Sequence, residues 1–325
     1  MTRIYPLKFE TILKPVIWGG DEITRFKNIK PVRNGIGESW EISQVKDHVS
    51  VVANGPLKGK SLTEIIHTYG PELLGRHIAE RFGDKFPLLV KFIDAHDNLS
   101  IQVHPNDELA LKRHHSFGKT EMWYVISARE GAGLYSGFSQ EITPDEYVER
   151  VKNDTFMEVL QFHPAKSGDV FFLPAGRVHA IGKGIFIAEI QQTSDITYRI
   201  YDYNRRDAQG NSRELHTDLA KDAIDYTVYA DYKTHYTPEI NRVVKLVESE
   251  YFTTSLIEAD QPVKRSVAEK DSFVIYLCME GDGEIRDSDG GIISVKTGDT
   301  ILVPAALAEI EIVPGEKIKL LECYN

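Results

Sequence analysis

From residue 86 to residue 93 the chain is apolar at nearly every position, the pattern of a strand buried on both faces, and Lys91 is the one charge well inside that run. A lone Lys in such a run reads as a side chain that snorkels to the surface, with contact to a ligand as the alternative. Residues 100–107 are patterned differently. On an extended strand Ile101 and Val103 share one face while Ser100, Gln102 and His104 share the other. An amide and an imidazole therefore stand side by side on a short strand bounded by Asn98 and Pro105. Further strands are predicted at residues 38–43, where Trp40 and Ile42 alternate with Glu41 and Ser43 as in a half-buried strand, and at 119–126. The Gly168-Asp169 turn enters another apolar strand, and a Pro174-Ala175-Gly176 corner leads from it into a strand carrying His179. Residues 185–191 and 196–203 continue the β pattern, with Glu189 and Arg199 as charges in apolar surroundings.

Helical spacing is confined to a few stretches. Ser61-Leu62-Thr63-Glu64 is a capping box, and Leu62, Ile65, Ile66 and Tyr69 follow at helical intervals until Gly70-Pro71. A second helix is predicted over 71–82. A third opens at the capping box Thr143-Pro144-Asp145-Glu146 and runs through Val151, with continuation toward Gln161, and a capped fourth covers 212–226. The chain is therefore mainly β with inserted α-helices.

One β unit occurs twice. Gly168, Asp169, Pro174 and Ala175 recur as Gly298, Asp299, Pro304 and Ala305, and Glu130-Gly131-Ala132-Gly133 recurs as Glu280-Gly281-Asp282-Gly283. This implies a first unit over 1–239, carrying the helical insertions, and a second over about 240–325. In the second copy Glu309 takes the place of His179, Asp271 that of Glu121, and nothing corresponds to Gln102 and His104. The second copy is therefore expected to be a β-sandwich without a metal site that covers an apolar edge of the first.

Composition narrows the functional classes. A formal charge of −11 with no basic cluster argues against a nucleic-acid partner. No apolar span approaches the roughly 20 residues of a membrane helix, and the N-terminus lacks the apolar run of a signal peptide, which points to the cytoplasm. Cys278 and Cys323, both in apolar surroundings, suit buried free thiols in a reducing compartment.

What the first copy has and the second lacks is the set Gln102, His104, Glu121 and His179. Two imidazoles, a carboxylate and an amide oxygen suit a divalent ion such as zinc with one position open. Singly each has a plainer reading: a strand His is commonly a satisfied core residue, and Glu121 can pair with Lys119.

Ser-x-Gln-x-His-Pro-Asn at 100–106, Gly-Lys-Thr-Glu-Met-Trp at 118–123, Pro-Ala-Gly-x-x-His-Ala at 174–180 and the segment from Glu189 to Arg199 resemble the class I mannose-6-phosphate isomerases in their shorter bacterial form. The Gly-Asp and Pro-x-Gly-x-x-His corners also resemble the general cupin signature. The resemblance implies two cupin-type units, each a double-stranded β-helix or jelly roll. It implies an enzyme that interconverts mannose 6-phosphate and fructose 6-phosphate through a cis-enediol. The ligands of one Zn2+ per chain fall on Gln102, His104, Glu121 and His179, and the catalytic arginine on Arg199. Ser100, Lys119 and Glu189 fall on positions that line the same cavity. The expected partner is a small sugar phosphate, and the chain is expected to be a monomer or homodimer.

In that reaction negative charge develops on O1 or O2 of the sugar. A zinc ion polarises the oxygen, and the Arg199 guanidinium holds either the oxyanion or the phosphate. Glu189 and a zinc-bound water are the two candidates for the base. The structural alternatives are an Arg199 paired with Asp195 or Asp202, and a Glu189 that is a strand-edge charge. Two other classes, a metal-dependent cupin oxygenase and a non-enzymatic sugar-phosphate-binding cupin, are separated from the isomerase by oxygen consumption and by turnover.

Overall fold

Strands of the first unit, Leu7–Lys8 apart, lie in two antiparallel sheets in the computed structural model, which describes residues 3–206 and 209–325. The seven-stranded sheet has the order Lys233–Thr234, Val170–Leu173, Glu121–Ala128, Ile185–Gln192, Leu88–Ala95, Ile36–Ile42, Ile12–Gly20. The five-stranded sheet has the order Tyr198–Tyr201, Ile101–Val103, His179–Ile181, Gly133–Phe138, Leu160–Pro164. Side-chain alternation then sorts residues between cores. Leu88, Val90 and Phe92 join a core shared with helices and the second unit, whereas Ile93 and Ala95 join Trp123, Leu134, Ile181 and Ile187 in a core to which both sheets contribute.

This alternation decides where the charges point. Lys91 has the parity of Ile93 and Ala95, so it faces between the sheets and is 5% exposed, which overturns the snorkelling reading. Glu189 lies on the strand between Leu88–Ala95 and Glu121–Ala128, in the middle of its sheet and not at an edge. On the facing sheet Ile101, Val103, Ala180, Tyr198 and Ile200 enter an outer core with Tyr147, Phe156 and Ala220, leaving Gln102, His179 and Arg199 on the inner side. Ile36–Ile42 is buried on both faces instead of one; Glu41 tolerates this because Lys27 Nζ (2.7 Å) and Ser39 Oγ (2.8 Å) donate to its carboxylate.

Both capping boxes form, at Ser61 before Leu62–Tyr69 and at Thr143 before Pro144–Lys152. The helix expected over 71–82 is broken into Pro71–Leu74 and Arg76–Phe82 at Gly75, whose φ is 94°. The second unit imposes the break. Phe273 N and Ala305 N donate to the carbonyls of Leu74 and Leu73, and a Cβ on Gly75 would lie 1.9 Å from Asp271 O. Gly75→Ala is therefore expected to lower stability by roughly 2–4 kcal/mol, from strain at positive φ plus the backbone clash, read as a lower denaturant midpoint. An unchanged midpoint would mean the two units do not dock through this turn.

Two other helical expectations fail for tertiary reasons. Past Phe156–Val159, a single 3-10 turn, the chain becomes the strand Leu160–Pro164, because Gly133–Phe138 has a free edge to pair. Of residues 212–226 only Thr217–Ala223 is helical, since the segment before it is bonded to the Arg199 strand.

The repeat is exact at its turn. Gly168 and Gly298 have φ of 86° and 85°, and Lys166 N and Lys296 N each donate to the following Asp Oδ2 at 3.1 Å. Register corrects the pairing of the two copies. Glu121 lies opposite Leu173, and the residue opposite Val303, the counterpart of Leu173, is Val274 and not Asp271. Likewise Ser266 faces Glu309 as Gln102 faces His179. Glu189 does have a counterpart: it pairs with Trp123 as Glu322 pairs with Tyr276, whose hydroxyl donates to it at 2.7 Å. There the space is closed by Arg265, which donates to both Glu322 oxygens at 2.7 and 2.8 Å. The strand Leu7–Lys8 pairs with Thr300–Val303, so a piece of the first 239 residues completes the second unit's sheet.

Candidate metal centre

The Pro174 corner positions the cluster. Gly176 N donates to His104 O at 2.9 Å and Ala175 N to Thr120 Oγ1 at 3.1 Å, tying the corner to the segments that carry His104 and Glu121. His179 stands opposite Gln102, and Gln102 opposite Arg199.

His179 Nε2 is 3.2 Å from Glu121 Oε1, and His104 Nε2 is 3.5 Å from Glu121 Oε2. Candidate ligand atoms of the three residues all lie within 4.8 Å of one another, and all three residues are buried. Each imidazole has its other nitrogen against a backbone carbonyl, His104 Nδ1 at 2.8 Å from Ile196 O and His179 Nδ1 at 2.9 Å from Arg177 O. A carbonyl only accepts, so Nδ1 carries the proton and the Nε2 lone pair faces inward, the arrangement that orients a metal-ligating histidine. Neither oxygen of Glu121 accepts a hydrogen bond. The Gln102 amide is 3.2 Å from His179 Nε2, and rotation of that amide turns its oxygen to the same centre.

The donor set therefore fits a divalent cation, and the demand for positive charge is visible in Lys119, whose Nζ lies 3.1 Å from His104 Nε2 and 3.3 Å from Glu121 Oε2. Burial, reinforced by Lys119, holds both imidazoles down, His104 well below the usual range and His179 to about 3. Both rings are thus neutral at physiological pH, as ligation requires. Burial and the Glu189 charge push Glu121 up to about 8, against the opposing pull of Lys119 and Lys91.

A cavity of about 160 Å³, open to solvent, extends from Gln102 and Lys119 to Arg199 and Arg213, with Ser100 in its wall. Glu189 lines it as well: Trp123 Nε1 donates to Oε2 at 2.8 Å, Oε1 accepts no hydrogen bond, and Lys91 Nζ lies 3.2 Å from Oε1. Burial opposes ionisation of Glu189, but Lys91 and Lys119 prevail and hold it below the ordinary carboxylate value. Arg199 makes no ion pair with Asp195 or Asp202 among the described residues; its Nη1 donates to Glu214 O at 3.0 Å, and its buried Nε has no partner.

Gln102, His104, Glu121, His179, Ser100, Lys119, Glu189 and Arg199 are thus brought to one place. Pattern reading left Lys91 with ligand contact as its lesser alternative and missed Glu38, Trp18, Trp40 and Arg213, all of which line the same cavity. The parity of Lys91 within its strand was a usable signal, since it matches Ile93 and Ala95. Glu38 and Trp40 carried none, because their strand joins the sheet from far away in the chain. Gln191 was also passed over: it lies opposite Glu121, and its buried Oε1 has no partner.

Residues 7–124 match the family model of the phosphomannose isomerase type I catalytic domain, and residues 242–325 that of the mannose-6-phosphate isomerase cupin domain. Mannose-6-phosphate isomerase ManA of Bacillus subtilis is 35% identical over 311 residues, 94% of this chain and 95% of the relative. A mannose-6-phosphate isomerase of Streptococcus mutans is 34% identical over 302 residues, 92% of each. The crystal structure of the mannose 6-phosphate isomerase from Bacillus subtilis superposes with a TM-score of 0.89 at 31% identity, over 99% of this chain and 100% of that one. A phosphomannose isomerase variant from Salmonella typhimurium, 16% identical, shares the fold with a TM-score of 0.78 over 99% of this chain and all of its own.

Proposed function

This chain belongs to the type I phosphomannose isomerases, and from that premise we propose that it interconverts mannose 6-phosphate and fructose 6-phosphate in the cavity of its first unit. The observation that carries the reading is the buried His104, Glu121 and His179 group, whose open lone pairs adjoin a cavity holding an ionised Glu189 and an Arg199 with an unpaired edge. Gln102, His104, Glu121 and His179 would hold one zinc ion per chain, which when bound would supply a Lewis acid to the developing oxyanion.

Glu189 moves the proton. Its Oε2 is fixed by the Trp123 indole, and its Oε1, buried beside Lys91, accepts no hydrogen bond, so the carboxylate at the cavity wall can take the proton from C2 of the aldose and return it to C1 of the cis-enediol. Lys91 keeps Glu189 ionised between turnovers. Arg199, opposite Gln102 in register, faces the oxygen on which charge develops. Ser100 and Lys119, both nearly buried in the cavity wall, orient the substrate hydroxyls. The partner is a small sugar phosphate. Cys278 and Cys323 are buried free thiols, and no helix among the described residues is long and apolar enough to cross a membrane, both of which suit the cytoplasm.

A coupled assay following fructose 6-phosphate formed from mannose 6-phosphate, run with and without chelator, tests this. The expected result is turnover that chelation abolishes and added zinc restores. A metal-free preparation that keeps its rate would contradict it.

A further inference from the structure

The segment after Arg199 is bonded back onto it. Arg199 N donates to His216 Nδ1 at 3.1 Å, His216 N to Arg199 O at 2.7 Å, and Arg199 Nη1 to Glu214 O at 3.0 Å. That holds Arg213 in the cavity wall, where its Nε and Nη2 donate to Asp202 Oδ2 (2.7 Å) and Oδ1 (2.5 Å). Asp202 also accepts from Arg205 Nε (3.2 Å) and Nη2 (2.5 Å), while Arg205 Nη1 donates to Asn98 O. Arg205 is fully committed. Arg213 is not: its Nη1 has no partner among the described residues, and its side chain is 30% exposed. Around the single carboxylate of Asp202 stand three guanidiniums, Arg199, Arg205 and Arg213, while the Glu214 carboxylate is turned to solvent at 83% exposure. A surplus of positive charge therefore sits at this end of the cavity, in a chain whose net charge is −11.

We infer that Arg213, held in place by Asp202, grips the phosphate of the substrate, a binding residue for the isomerase reading on which this rests. In mannose 6-phosphate the reacting carbons and the phosphate lie at opposite ends of the sugar. Arg199 neighbours Gln102 in register and so belongs to the reacting end, whereas Arg213 lies on the solvent side of the same cavity. A guanidinium whose orientation is fixed by a carboxylate and whose outer edge is free suits a phosphate dianion, to which it gives planar, paired donors. The choice between oxyanion and phosphate for Arg199 is then settled by position: Arg213 takes the phosphate and Arg199 the oxyanion.

Arg213→Ala tests the assignment, with Arg213→Gln beside it in case the alanine variant does not fold and Arg213→Lys as the conservative rescue. The expected result is a KM for mannose 6-phosphate raised roughly 10- to 100-fold, the size of a lost charge-assisted hydrogen bond, with kcat within about threefold. Competitive inhibition by inorganic phosphate should weaken in parallel, and lysine should restore part of both. Unchanged KM and phosphate inhibition in a folded variant would overturn the inference, as would a fall in kcat at constant KM. If the wild type does not turn over mannose 6-phosphate the isomerase reading itself fails. Calorimetric titration of inorganic phosphate into wild type and Arg213→Gln then still decides the anion site, equal binding counting against it.

Discussion

His104→Ala and His179→Ala are each expected to lose the bound metal and to lower turnover on the order of 10³-fold or more, since a metal that stabilises transition-state charge is worth several kcal/mol. Both rings are already oriented for ligation. Their Nδ1 protons are spent on Ile196 O and Arg177 O, their Nε2 atoms converge on the Glu121 oxygens, and both are far too buried to be protonated at neutral pH. Removing one ring leaves a backbone carbonyl unsatisfied, which costs about 1–3 kcal/mol, so melting temperature is measured alongside metal content and rate. A folded variant without metal that retains full activity would remove the cluster from the mechanism.

Arg199→Lys is expected to lower kcat about 10²-fold or more with a much smaller effect on KM, because lysine keeps the charge but loses the planar donor that meets a developing oxyanion. The structure excludes the simplest structural explanation. Asp202 is occupied by Arg205 and Arg213, so Arg199 is not the partner it needs, and the Arg199 guanidinium is left with a buried, unpaired Nε. A raised KM at nearly constant kcat would instead make Arg199 a phosphate ligand, and lost thermal stability with normal kinetics would make it structural.

How far the site was legible follows from periodicity. Where a strand alternates, as at Ser100, Gln102 and His104, the polar face can be read directly, and the Pro174 corner marked the strand of His179 in the same way. In the run 86–93, apolar on both faces, the one cue was the parity that Lys91 shares with Ile93 and Ala95, outweighed by the usual fate of a lone lysine, and Lys91 ends between Glu38 and Glu189. The two copies of the β unit were recognisable at their Gly-Asp turns, but Asp271, which stands as far before Glu280 as Glu121 stands before Glu130, is not the counterpart of Glu121. Strand lengths differ between the copies, and only hydrogen-bond register shows that Val274 fills that place. Capping boxes at Ser61 and Thr143 are local and were readable. The break at Gly75 and the loss of helix before Thr217 were not, because each is imposed by backbone from elsewhere: Asp271 and Ala305 in one case, the Arg199 strand in the other. The tryptophans of the cavity, Trp18 and Trp40, come from an N-terminal hairpin whose place at the sheet edge no local pattern announces.

Anomalous diffraction at the zinc edge, from crystals of the purified protein, tests the central claim most directly. One peak is expected per chain, bonded at roughly 2.0–2.2 Å to the His104 and His179 Nε2 atoms and to a Glu121 oxygen, with the Gln102 amide oxygen turned toward it and none in the second unit, where Val274, Glu309 and the Arg265 and Glu322 pair occupy the equivalent space. An empty His104, Glu121 and His179 cluster in fully active protein, or a second peak within residues 240–325, would contradict the account.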